Sequence, residues 1–74
     1  MLKGIIKDRK TGEPIIGASI AVEKESIGAI SDINGNFAIN VSADKKIVVS
    51  YIGYESQVLD VLDKSFLEIY LSED

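Results

Sequence analysis

The stretch Asp32-Ile33-Asn34-Gly35-Asn36 decides how the rest of the chain is read. Asn-Gly readily supplies the two left-handed residues of a type I′ turn, so a β-hairpin is expected here. After it, Phe37 to Val41 alternates, with Phe37, Ile39 and Val41 on one face and Ala38 and Asn40 on the other. A period of two is that of a strand half buried in a sheet. Before it, Ile27 to Ser31 reads as a short strand, preceded by a polar turn at Lys24 to Ser26.

The same alternation continues outward in both directions. Gly17 to Glu23 sets Ala18, Ile20 and Val22 against Ser19, Ala21 and Glu23. Leu2 to Lys7 is a first strand in which Leu2 and Ile6 share one face with Gly4, and Asp8 to Pro14 is a wide turn. Downstream, Ser42 to Lys46 closes another hairpin. Ile47 to Ile52 is apolar on both faces, the mark of a central or partner-covered strand. Tyr54 to Val61 and Phe66 to Leu71 complete the set, with Leu67, Ile69 and Leu71 on one face of the last strand. Turn residues recur about every ten positions, no helical period competes, and about seven strands result. Two antiparallel sheets packed face to face, an all-β sandwich, fit that count.

With 74 residues, no internal repeat, no low-complexity segment and no linker, residues 1–74 read as a single domain. A chain this short buries only roughly 60% of its unfolded surface, so most of its 46% apolar residues must be core. Eight Lys and Arg against twelve Asp and Glu give a formal charge of −4, which argues against nucleic acid as a partner. Lys7, Arg9 and Lys10 cluster, but Asp8 and Glu13 interrupt them, as in a solvated loop. The chain has no His and no Cys. That excludes a Ser-His-Asp triad, a Cys-His nucleophile, a thiolate and imidazole zinc site and a disulfide. Charges among residues 1–20 leave no uninterrupted apolar segment for a signal peptide or direct membrane insertion. The expectation is either a cytoplasmic protein or an excised domain to which Met1 was added.

Three constellations could carry chemistry. Asp32, Asn34 and Asn36 have the D-x-N-x-N opening of a calcium loop. The sixth and twelfth places, which need Gly and Glu, hold Phe37 and Ala43, and Asp and Asn also cap turns unaided. No metal and no cofactor is expected. Paired carboxylates of glycosidase type require two acids facing across a groove. Glu55, Asp60 and Asp63 instead read as solubilising charges, and no catalytic residue is assigned. Tyr51, Tyr54 and Tyr70 could stack on a glycan. Their alternative role is structural: Gly53 lets the chain bend, and Tyr54 just after it can anchor the corner through its hydroxyl.

Four motifs stand in order: Gly4-Ile5-Ile6-Lys7-Asp8, Thr11-Gly12-Glu13-Pro14-Ile15-Ile16-Gly17-Ala18, Ser31-Asp32-Ile33-Asn34-Gly35-Asn36-Phe37 and Val49-Ser50-Tyr51-Ile52-Gly53-Tyr54-Glu55. Together they resemble the carboxypeptidase-regulatory-like domain over about residues 3 to 71. The resemblance implies a transthyretin-like (prealbumin-like) seven-stranded antiparallel β-sandwich. It also implies that Gly12, Gly17, Asp32, Gly35, Phe37, Gly53 and Tyr54 are structural and that the domain is not an enzyme. The G-Y-E form after S-Y is similar to copies at the N-terminus of TonB-dependent outer-membrane transporters of Bacteroidetes, which lie in the periplasm. By that resemblance the chain is a non-enzymatic accessory domain whose partner is a protein, either the parent transporter or another periplasmic protein. Two other readings are a small carbohydrate-binding module and a folding-assistance domain beside a metallocarboxypeptidase.

Overall fold

The structure, a computed structural model, describes residues 1–62 and 64–74, so the role expected of Asp63 lies outside the described residues. The strands in chain order are β1 (Leu2–Asp8), β2 (Ser19–Val22), β3 (Gly28–Ile30), β4 (Asn36–Ile39), β5 (Lys46–Ser50), β6 (Gln57–Asp60) and β7 (Phe66–Leu71). They form a three-stranded sheet, β4-β1-β7, packed on a four-stranded sheet, β3-β2-β5-β6.

The alternation of each strand is what the two sheets bury between them. Leu2, Ile6, Phe37, Ile39, Ile69 and Leu71 of one sheet face Ile20, Val22, Ile47 and Val49 of the other. Ala18, Ile15 and Val61 close the core from the connections, and Val41 and Leu67 pack against it half-buried. Fully burying one such aliphatic side chain is worth about 1.5–3 kcal/mol. Gly4 belongs to the same inner row because the Phe37 ring lies over it. A Cβ there would stand 2.6 Å from that ring and 2.5 Å from the Leu67 carbonyl oxygen.

The seven-stranded sandwich forms as expected, and four of its five strand pairs are antiparallel. The pair β1–β7 is parallel, in register from Lys3↔Phe66 to Asp8↔Leu71, which a wholly antiparallel reading does not contain. The two strands lie at the two ends of the chain, and no short-range signal reports how distant segments pair.

Two expected hairpins are corrected. Asp32 to Asn36 joins β3 to β4, which lie in different sheets. A type I′ turn needs positive φ at both central residues, but of Asn34 and Gly35 only Gly35 has it, at +80°. The turn is instead closed by the Gly35 N–H on the Asp32 carbonyl and by the Asp32 N–H on the Asn36 carbonyl, both at 2.9 Å. Ser42 to Lys46 likewise crosses between sheets, with the Lys45 N–H on the Ser42 carbonyl at 3.1 Å. β5 is central, as its two-faced apolar pattern implies, but it ends at Ser50. Ile52 lies beyond it in the Tyr51–Tyr54 turn and is 92% exposed.

Candidate functional site

The even positions of β1 point inward, and they bring Asp8 to the rim of the core, where it is only 7% exposed. Its Oδ1 accepts the backbone N–H groups of Lys10 at 2.7 Å and Thr11 at 3.0 Å. Its Oδ2 accepts the hydroxyl of Tyr54 at 2.5 Å. The Tyr54 hydroxyl, with the Thr11 and Lys10 amides behind it, holds the Asp8 carboxyl below its ordinary value of 3.8. The same bond, with burial and the charges of Asp8 and Glu73, pushes the Tyr54 phenol up to about 12. Charge-assisted hydrogen bonds of this kind are stronger than neutral ones. Beside them the C-terminal residues are tied down. The Glu55 N–H donates to the Ser72 carbonyl and the Asp74 N–H to the Gly53 carbonyl, both at 2.9 Å.

Ser31 performs a similar task at the end of β3. It is buried, and its Oγ accepts the Ala18 N–H at 2.8 Å while donating to the Ile15 carbonyl at 2.7 Å. Next to it, Oδ1 of Asp32 accepts the N–H groups of Asn34 and Asn36, each at 2.9 Å. The calcium candidates therefore lie on one exposed loop, with an Asp32 oxygen capping the loop's own amides. Among the described residues no group of three or more His, Cys, Asp or Glu side chains is placed to hold a metal ion.

Of the three tyrosines, Tyr51 and Tyr54 come together, with ring centroids 5.8 Å apart and planes tilted by 47°. Tyr70 sits on β7, where its hydroxyl donates to Glu68 Oε1 at 2.8 Å, a bond that raises its pKa. Gly12, Gly17 and Gly53 have φ of 77°, 82° and 84°, and Phe37 is a core side chain.

The outer face of the four-stranded sheet carries a different kind of surface. With Ile20, Val22, Ile47 and Val49 turned inward, Ser19, Ala21, Val48 and Ser50 point outward. Val58 stands beside Val48, and Ile30 beside Ser19. Val58, Ile30 and Ile52 are 56%, 66% and 92% exposed, and Gly17, Ser19, Ser50, Tyr51 and Ile52 line a shallow depression. Among the described residues, none that carries a charge lies in the middle of this face; Lys46 and Asp60 pair at its margin, 3.9 Å apart.

Sequence reasoning missed the burial of Asp8 and Ser31. The available signals were the alternation of β1, which continues through Asp8, and the position of Ser31 two residues after Ala29, on the same face of the expected short strand Ile27 to Ser31.

Comparison with known proteins adds three findings. The family model of the CarboxypepD_reg-like domain matches residues 2–74. The TonB-dependent receptor SusC of Bacteroides thetaiotaomicron is 42% identical over 73 residues, which cover 99% of this chain and 7% of the receptor. A chain of the type II Cohesin-X-Dockerin complex of Acetivibrio cellulolyticus superposes with a TM-score of 0.70 at 21% identity. That superposition covers 96% of this chain and 51% of the other, and it bears on the fold alone.

Proposed function

Because this chain belongs to the CarboxypepD_reg-like domain family, we propose that it is a non-enzymatic accessory domain at the N-terminus of a TonB-dependent outer-membrane nutrient transporter. The carrying observation is its 42% identity, over 99% of its length, to TonB-dependent receptor SusC. The chain spans 7% of that receptor, which supports a role within a much longer protein, and in this reading the domain acts on the periplasmic side of the outer membrane.

The side-chain geometry supports recognition over chemistry. The buried carboxylate of Asp8 is taken up by three donors of the protein itself, and Asp32 caps its own loop. Aromatic residues are enriched at protein contacts and exposed apolar surface marks interaction sites, and the outer face of the four-stranded sheet offers Tyr51, Ile30, Ile52 and Val58. Reading the native frame on both sides of these residues tests the assignment. A signal peptide upstream and a plug with alternating barrel strands downstream are expected. A stop codon directly after Asp74 with no signal peptide upstream would overturn it.

A further inference from the structure

The strands β1 and β7 are the first and last of the fold, and they run parallel, side by side. Their ladder extends over six register pairs, Lys3↔Phe66 to Asp8↔Leu71. At one end the Lys3 N–H donates to the Ser65 carbonyl at 3.0 Å, and at the other the Arg9 N–H donates to the Leu71 carbonyl at 2.9 Å. Because the pair is parallel, the backbone arrives at the Lys3 end of the ladder and leaves at the Leu71 end. These points are separated by about five residue steps, or roughly 17 Å of strand.

Tension along the backbone therefore pulls β1 and β7 in opposite directions along their common axis. The evenly spaced bonds of a parallel ladder are then loaded together. In an antiparallel terminal pair the chain would arrive and leave at the same end, and the bonds would open one after another. Beyond Leu71 the outgoing chain is held further by Ser72 on Glu55 and Asp74 on Gly53, and the Tyr54 hydroxyl ties that turn back to Asp8 of β1. On its other side β1 is backed by β4, in antiparallel register from Leu2↔Ile39 to Ile5↔Asn36.

We infer that β1 and β7 form a load-bearing clamp, so that tension transmitted along the polypeptide is carried by this domain as shear of a parallel ladder. This gives the domain a mechanical function beyond recognition, in whatever longer chain it is set. It requires no side-chain chemistry, only the pairing and register of the two strands.

Single-molecule pulling on one variant, Ser65→Cys, tests the clamp. The chain has no other Cys, and Ser65 is exposed, so a handle can be attached there specifically. In one arrangement the handles are at the two termini, which shears β1 against β7. In the other they are at the N-terminus and at position 65, which loads the same ladder from a single end. Both use the same folded polypeptide, so its equilibrium stability is common to the two. Forced unfolding reports the barrier along the loaded direction, and a rupture force at least about twofold higher is expected between the termini at equal loading rate. An equal or lower force between the termini would overturn the clamp.

Discussion

Tyr54 and Asp8, 46 residues apart in sequence, are joined by a hydrogen bond from the phenol hydroxyl to Oδ2 of a carboxylate at the rim of the core. The bond fastens the turn after β5 to the end of β1, and so links the two sheets at one end of the sandwich. Removing the hydroxyl leaves Oδ2 of Asp8 without that partner, while both amide bonds to Oδ1 remain.

Tyr54→Phe is expected to lower the thermal midpoint by roughly 4–8 °C, the shift that losing one net hydrogen bond produces in a domain of this size. Circular dichroism melts of the two proteins measure it. An unchanged midpoint would mean that the bond contributes nothing to the fold.

The pH dependence has two limbs. The Asp8 carboxyl is held below its ordinary value in the fold, so its stabilisation is present above the unfolded value of 3.8 and is lost as pH falls through the folded value. The Tyr54 phenol is raised from 10.0 to about 12, so its contribution is complete below pH 10 and disappears as pH rises through 12. Thermal midpoints across pH should decline on both sides. Asp8→Asn should flatten the acid limb and Tyr54→Phe the part of the alkaline limb due to Tyr54.

Ser31→Ala leaves both the Ala18 N–H and the Ile15 carbonyl without the partner that Oγ supplies. Each buried polar group left unpaired costs about 1–3 kcal/mol, so this one-atom deletion should destabilise more than its volume suggests. Urea unfolding measures the difference. A loss of only a few tenths of a kcal/mol would show that water replaces the hydroxyl.

Gly35→Ala and Gly12→Ala both place a Cβ at positive φ, which costs about 1–2 kcal/mol. At Gly35 the new atom would also stand 2.5 Å from the Ile6 carbonyl oxygen and 3.0 Å from Pro14 Cβ, whereas nothing lies within 4 Å at Gly12. The Gly35 variant should therefore be clearly the less stable in denaturant. Equal losses would contradict the close approach of the Asp32–Asn36 turn to β1.

The strands were legible because alternation is a local signal: Ala18, Ile20, Val22, Phe37 and Ile39 declare their buried face within a few residues. The pairing was not. Asn34-Gly35 suggests a hairpin, yet Ser31 turns inward at the end of β3 and β4 pairs with β1, more than thirty positions away. Similarly, nothing near Phe66 announces that β7 runs parallel to β1. At the candidate site Gly53 and Tyr54 were visible as a bend and a corner, while the hydroxyl's partner depended on the inner row of β1 reaching Asp8.

The proposed accessory role is tested most directly by deleting this domain in frame from the longer protein that carries it, proposed to be a TonB-dependent receptor, and measuring nutrient uptake together with receptor abundance in the outer membrane. A receptor that still reaches the membrane in normal amount but imports its nutrient several-fold more slowly is expected. Uptake equal to that of the intact receptor, at equal abundance, would contradict the role.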